Sequence, residues 1–92
     1  MTIVWSRTAV EDLKNLRATI EEQNPRAASK IAGTILRRVE SLKEFPNQGR
    51  PGRVPQTREL IIPETPFLVV YTVAGGTVRI VTVLHGARKW PR

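Results

Sequence analysis

The period of the apolar residues changes once along this chain, near residue 46, and that change decides which folds are open to it. Before it, apolar side chains recur every three or four residues; after it, they come in short runs rich in β-branched residues. Ala9, Leu13, Leu16 and Ile20 define one helical stripe, and Ala28, Ile31, Ile35, Val39 and Leu42 define a second, with Arg26, Lys30, Arg37 and Glu40 away from it. Thr8 followed three residues later by Glu11 has the pattern of a capping box, which places the first helix start there. Asn24 is a good N-cap and Pro25 suits a first helical turn, so the first helix stops near Gln23 and the second begins at once. Two helices joined this tightly form a hairpin.

Thr2 to Trp5 predicts a short strand ahead of that hairpin. Pro46 to Thr57 holds three prolines and two glycines around Arg50 and Arg53, which predicts an irregular, ordered loop. Arg58 to Ile62, Phe67 to Val73 and Thr77 to Leu84 predict three strands, the last two joined by a Gly75-Gly76 hairpin. The order strand, helix, helix, strand, strand, strand implies an α+β fold in one domain, residues 1–92: a three-stranded antiparallel meander that the N-terminal strand joins after the helices cross over. Phe67 to Tyr71 is apolar on both faces, so the face away from the helices needs a cover. The tail with Trp90, a second copy of the chain or a partner peptide would serve.

The net charge of +7 is unevenly spread, and that constrains the partners. Up to Pro46 there are eight Lys/Arg against six Asp/Glu; beyond it there are seven against two, and none of the acids follows Glu64. The C-terminal half therefore carries a field that attracts nucleic acid or an acidic protein. Arg50, Arg53, Arg79, Lys89 and Trp90 are the candidate contacts, the first two because a proline-stiffened loop holds them. The sequence has no cysteine and one histidine, so neither a disulfide framework nor an ordinary zinc ligand set is available, and no Gly-rich phosphate loop implies a cofactor. There is no membrane-length apolar run and no signal-peptide pattern after Met1, so the expected location is the cytoplasm.

Ser6-Arg7-Thr8-Ala9-Val10-Glu11-Asp12-Leu13, the loop Gly49-Arg50-Pro51, Phe67-Leu68-Val69-Val70-Tyr71 and Ile80-Val81-Thr82-Val83-Leu84-His85 resemble, in this order, the RelE/ParE superfamily. The resemblance covers essentially the whole chain and lies in the joint order, length and charge more than in any one motif. It implies the toxin of a type II toxin-antitoxin module, associated with plasmid stabilisation, neutralised by a cognate antitoxin whose acidic, partly disordered segment wraps around it in a hetero-oligomer. A basic domain with an apolar groove suits a ligand that folds on binding.

The superfamily has two activities. RelE-like members cut messenger RNA on the ribosome, and ParE-like members bind DNA gyrase. RNA cleavage through the 2′-hydroxyl needs a base, an acid and cations against the developing phosphorane charge. His85 can serve as acid or base, and Arg88, Arg58 and Arg53 as the clamp, provided the loop folds back to bring them together. Against this, Leu68 stands where RelE-like nucleases carry an arginine, and the tail offers Trp90 where they carry a catalytic tyrosine. Val83-Leu84-His85 also resembles the strand end of ParE-like members, and a lone histidine at a strand end is more often structural than catalytic. The sequence thus favours a ParE-like gyrase inhibitor, with a ribosome-dependent endoribonuclease as the alternative and a non-toxic nucleic-acid-binding module third.

Overall fold

The computed structural model describes residues 1–86, 90 and 91. Its elements run β1 (Thr2–Trp5), α1 (Arg7–Glu21), α2 (Pro25–Glu40), a 3₁₀ turn (Ser41–Lys43), β2 (Arg50–Pro51), β3 (Arg58–Ile61), β4 (Phe67–Ala74) and β5 (Thr77–His85). The five strands form one sheet in the order β1-β5-β4-β3-β2. β1 lies parallel to β5, because the helical hairpin carries the chain across the sheet between them, and the other neighbours are antiparallel.

Two boundaries differ from the sequence reading. The first helix is capped by Ser6, whose side chain accepts a hydrogen bond from the Ala9 amide at 3.0 Å, two residues ahead of the expected Thr8. Ser6 serves two purposes, since its hydroxyl also donates to the Val81 carbonyl at 2.8 Å. The loop after Pro46 is not wholly irregular: Arg50 and Pro51 pair with Glu59 and Arg58 as a two-residue edge strand. Proline is tolerated there because an edge strand leaves one side of its backbone without a ladder partner. Asn24 caps α2 as expected, with Pro25 in its first turn.

The core lies between the helices and one face of the sheet. Ala9, Ile35, Val39 and Leu42 pack against Leu60, Ile62, Val69, Tyr71, Val78, Ile80 and Val83. Both helical stripes read from the sequence contribute, with Leu13, Leu16 and Ile31 at the margin. On the opposite face, Leu68, Val70 and Leu84 form a second cluster against which Val81 and Trp90 pack. Trp90 therefore supplies part of the cover that the two-faced apolar strand requires. Gly75 and Gly76 have φ of 56° and 77°, the left-handed values that the tight β4–β5 hairpin requires.

A bulge in β5 shapes one end of the sheet. Val70 pairs with Thr82 but Tyr71 pairs with Ile80, so Val81 is an extra residue in β5. β1 ends opposite Ile80, and beyond that point α1 takes over as the neighbour of β5. Ser6 binds the Val81 carbonyl, while the Asp12 carboxylate accepts from the Val83 amide at 3.1 Å and from the Thr82 hydroxyl. A helix side chain thus satisfies the strand amide that β1 is too short to reach.

Candidate functional site

Most of the predicted site residues that the structure describes fall into two regions at different ends of the sheet. The first is the loop between Pro46 and Thr57. Glu59, on β3, is 2% exposed and points to the sheet face away from the helices, opposite Val70. Its two oxygens are divided between two arginines: Arg50 Nη2 approaches Oε1 at 3.1 Å and Arg53 Nε approaches Oε2 at 3.3 Å. The Arg53 amide also donates to Oε2 at 3.0 Å. Burial pushes the Glu59 pKa up, but the Arg53 amide, the Arg50 hydrogen bond and both guanidinium charges outweigh it and hold the carboxyl below its ordinary value.

Two further side chains pin this loop. The Tyr71 hydroxyl accepts from the Gly49 amide at 2.9 Å and donates to the Pro46 carbonyl at 2.7 Å. Burial raises the Tyr71 pKa, against the opposing effects of the Gly49 amide and the nearby Arg58 charge. Gly49 allows this approach, since a Cβ there would sit 2.7 Å from the tyrosine ring and hydroxyl. Arg58 Nη1 donates to the carbonyls of Gly49, at 2.7 Å, and Asn47, at 3.2 Å. Arg50, Arg53 and Arg58 are therefore all committed to fixed acceptors within the protein, and Arg50 remains 58% exposed.

The second region is the end of β5. His85 is exposed and meets Phe67 edge-on, with ring centroids 6.0 Å apart. It lines a cleft of about 390 Å³ between α1 and the strand ends, with Asp12, Asn15, Leu16, Thr19 and Ile20 on the helix side and Phe67, Val83 and Leu84 on the sheet side. A polar rim over an apolar floor suits a peptide side chain better than a small charged ligand.

The structure does not bring these regions together. His85 pairs with Phe67, whereas Arg58 pairs with Tyr71, four residues further along β4 and on its other side. At about 3.3 Å per residue and about 4.8 Å per strand, their Cα atoms are on the order of 16 Å apart. The loop folds onto Glu59 and Tyr71 instead of back toward the histidine. Arg79 is exposed on β5 between Val4 and Thr72, on the face away from the helices. Arg88 and Lys89 lie outside the described residues. Among the described residues, no group of three or more His, Cys, Asp or Glu could hold a metal ion.

Glu59 and Asp12 were not singled out in the sequence, although each left a trace. Glu59 is one of only two acids in the basic half and interrupts a β-rich run. Asp12 falls three residues after Ala9 and four before Leu16, on the stripe that faces inward.

Residues 3–90 match the family described as the ParE toxin of the type II toxin-antitoxin system parDE. Y4kP of Sinorhizobium fredii is 37% identical over 98% of this chain and 93% of its own. Toxin RelE2 of Caulobacter vibrioides is 34% identical over 94% of this chain and 96% of its own. A structure of the chromosomal ParDE toxin-antitoxin system from P. aeruginosa superposes with a TM-score of 0.86 at 30% identity, covering 92% of this chain and 95% of that one. The E. coli RelBE toxin-antitoxin complex shares the fold, with a TM-score of 0.66 at 15% identity over 95% of this chain and 98% of that one.

Proposed function

Because the chain belongs to the family of ParE toxins of type II toxin-antitoxin systems, we propose that it arrests bacterial growth by engaging DNA gyrase and that a cognate antitoxin neutralises it. The observation that carries the gyrase reading is the separation of His85 from Arg58, Arg53 and Arg50. Phosphodiester cleavage needs acid, base and cationic groups around one phosphate, within about 3 Å of the atoms they serve. Among the described residues, these groups stand at different ends of the sheet.

A protein target asks for less. It needs a rigid surface with cations in fixed relative positions, and the pinned loop supplies them. The antitoxin partner is supported by the ParDE relative and by the charge of +7, which favours an acidic segment. The cleft beside α1, with its apolar floor, is a place for such a segment to insert a side chain. No described helix is long and apolar enough to cross a membrane; the cytoplasm, where gyrase works, is the proposed location.

The alternative, ribosome-dependent messenger RNA cleavage, draws on His85 standing exposed at a cleft rim near the basic tail sequence Arg88-Lys89. Induced expression in a bacterial host separates the two. Plasmid supercoiling and primer extension across abundant messages are read from one culture. Loss of normal supercoiling with intact messages is the expected result. New cuts at codon boundaries, abolished by His85→Ala, would overturn it, and unimpaired growth with neither change would refute the toxin activity of this chain.

A further inference from the structure

The ion cluster around Glu59 is expensive to build. A carboxylate is removed almost wholly from water, and two guanidinium groups give up part of their hydration to meet it. Buried clusters of this kind contribute little net stability compared with apolar residues of the same volume. What they do contribute is position. Each Glu59 oxygen fixes one guanidinium, and the Arg53 amide bond to the same carboxylate fixes the backbone that carries it.

The neighbouring contacts point the same way. Tyr71 holds Gly49 and Pro46, and Arg58 holds the carbonyls of Asn47 and Gly49, so the chain leading into Arg50 is tied to the sheet, as the Arg53 amide ties the chain beyond it. Arg50 is then presented with only Nη2 on Glu59 and with more than half of its side chain in solvent. A guanidinium carries five N–H donors in a planar fork, so one held through a single nitrogen still has donors to offer an external anion.

We propose that Glu59 is a positioning residue for anion recognition: it touches no partner, but it holds Arg50 and Arg53 at a fixed spacing from which they engage anionic groups on the toxin's target. This deepens the target-binding reading above and rests on it. The contribution of Glu59 through geometry opposes its contribution through charge. Removing its negative charge makes the protein one unit more positive, and a field effect alone would strengthen binding to any polyanion. Removing the latch releases both arginines and weakens binding.

The test uses immobilised heparin, a sulfated polyanion, as the probe, with a salt gradient and the full chain. Glu59→Gln is compared with the original chain, and thermal unfolding of both is recorded to show that each is folded. Earlier elution of Glu59→Gln, in spite of its greater positive charge, is the expected result; equal or later elution overturns the proposal. Arg50→Lys provides a second arm should Glu59→Gln fail to fold, because position 50 is exposed and the charge is conserved. A single ammonium cannot span Glu59 and an outside anion with the fork's geometry, so earlier elution is again expected, and unchanged elution overturns the assignment. Growth arrest by the same variants is scored in parallel. If the original chain does not arrest growth, the toxin reading falls, while the elution order still decides the role of Glu59.

Discussion

The loop from Pro46 to Thr57 and the end of β5 are both fastened by a carboxylate, yet they are fastened for different reasons. Asp12 repairs a sheet: β1 stops at Trp5, and the Val83 amide it leaves unmatched is taken by a side chain from α1. Glu59 organises a loop: its partners are two arginines and a loop amide, none of which needs a carboxylate to satisfy a ladder. The first is a solution to a buried polar group, the second a way of holding charge still. Stability and activity should therefore divide between the two regions.

The largest effect expected on either side is at Tyr71, which is fully buried and holds the loop through two hydrogen bonds. Tyr71→Ala should cost about 3–5 kcal/mol in urea unfolding, from lost packing and the cavity left behind. Tyr71→Phe keeps the ring and removes only the bridge, for about 1–3 kcal/mol, the cost of stranding the Gly49 amide. Its hydrogen exchange should rise in the loop and not at the end of β5. Uniform acceleration across both regions would mean they are not independent.

Asp12→Ala should cost about 1.5–3 kcal/mol, since a charged acceptor is lost from the Val83 amide and the Thr82 hydroxyl. The comparison sharpens if this variant loosens the His85 end while hydrogen exchange in the Pro46 to Thr57 loop is unchanged. Acceleration in the loop as well would tie the two regions together.

Acid separates the loop in another way. The Glu59 carboxyl has its pKa lowered in the folded state, so its stabilisation is complete above the unfolded carboxylate value of about 4 and is lost as pH falls through the lower folded value. Stability measured across this acid range should decline more steeply for the original chain than for Glu59→Gln. Parallel curves would show that the carboxylate is not held as a charged group.

The smallest effect on stability is expected at His85, an exposed residue that meets Phe67 edge-on. His85→Ala should change stability by less than about 1 kcal/mol. Under the gyrase reading it should also leave growth arrest intact, which a colony count after induction would read; loss of arrest with the fold retained would favour the nuclease.

Much of the architecture was legible in the sequence because it depends on periods and punctuation. The stripe from Ala28 to Val39 has the period of an amphipathic helix, Asn24-Pro25 supplies its cap and first turn, and Gly75-Gly76 marks a tight hairpin. The helix start was displaced from Thr8 to Ser6 because Ser6 is also held by the Val81 carbonyl, 75 residues away, and no local pattern reports that bond. The candidate site was legible only as a list: Arg50, Arg53, Arg58 and His85 were nameable as residue types suited to anions or proton transfer, but their spacing in the chain carries no information about their spacing in space.

Sequence alone determined the α+β class, the order of the helices and the longer strands, the inward stripes and the excess positive charge. Only the tertiary structure decided that β1 runs parallel to β5, that Glu59 and Asp12 are fastening residues, and that the loop cations face away from the histidine. Those outcomes follow from strand register and from competition among donors for a few buried acceptors, which is settled when distant segments meet.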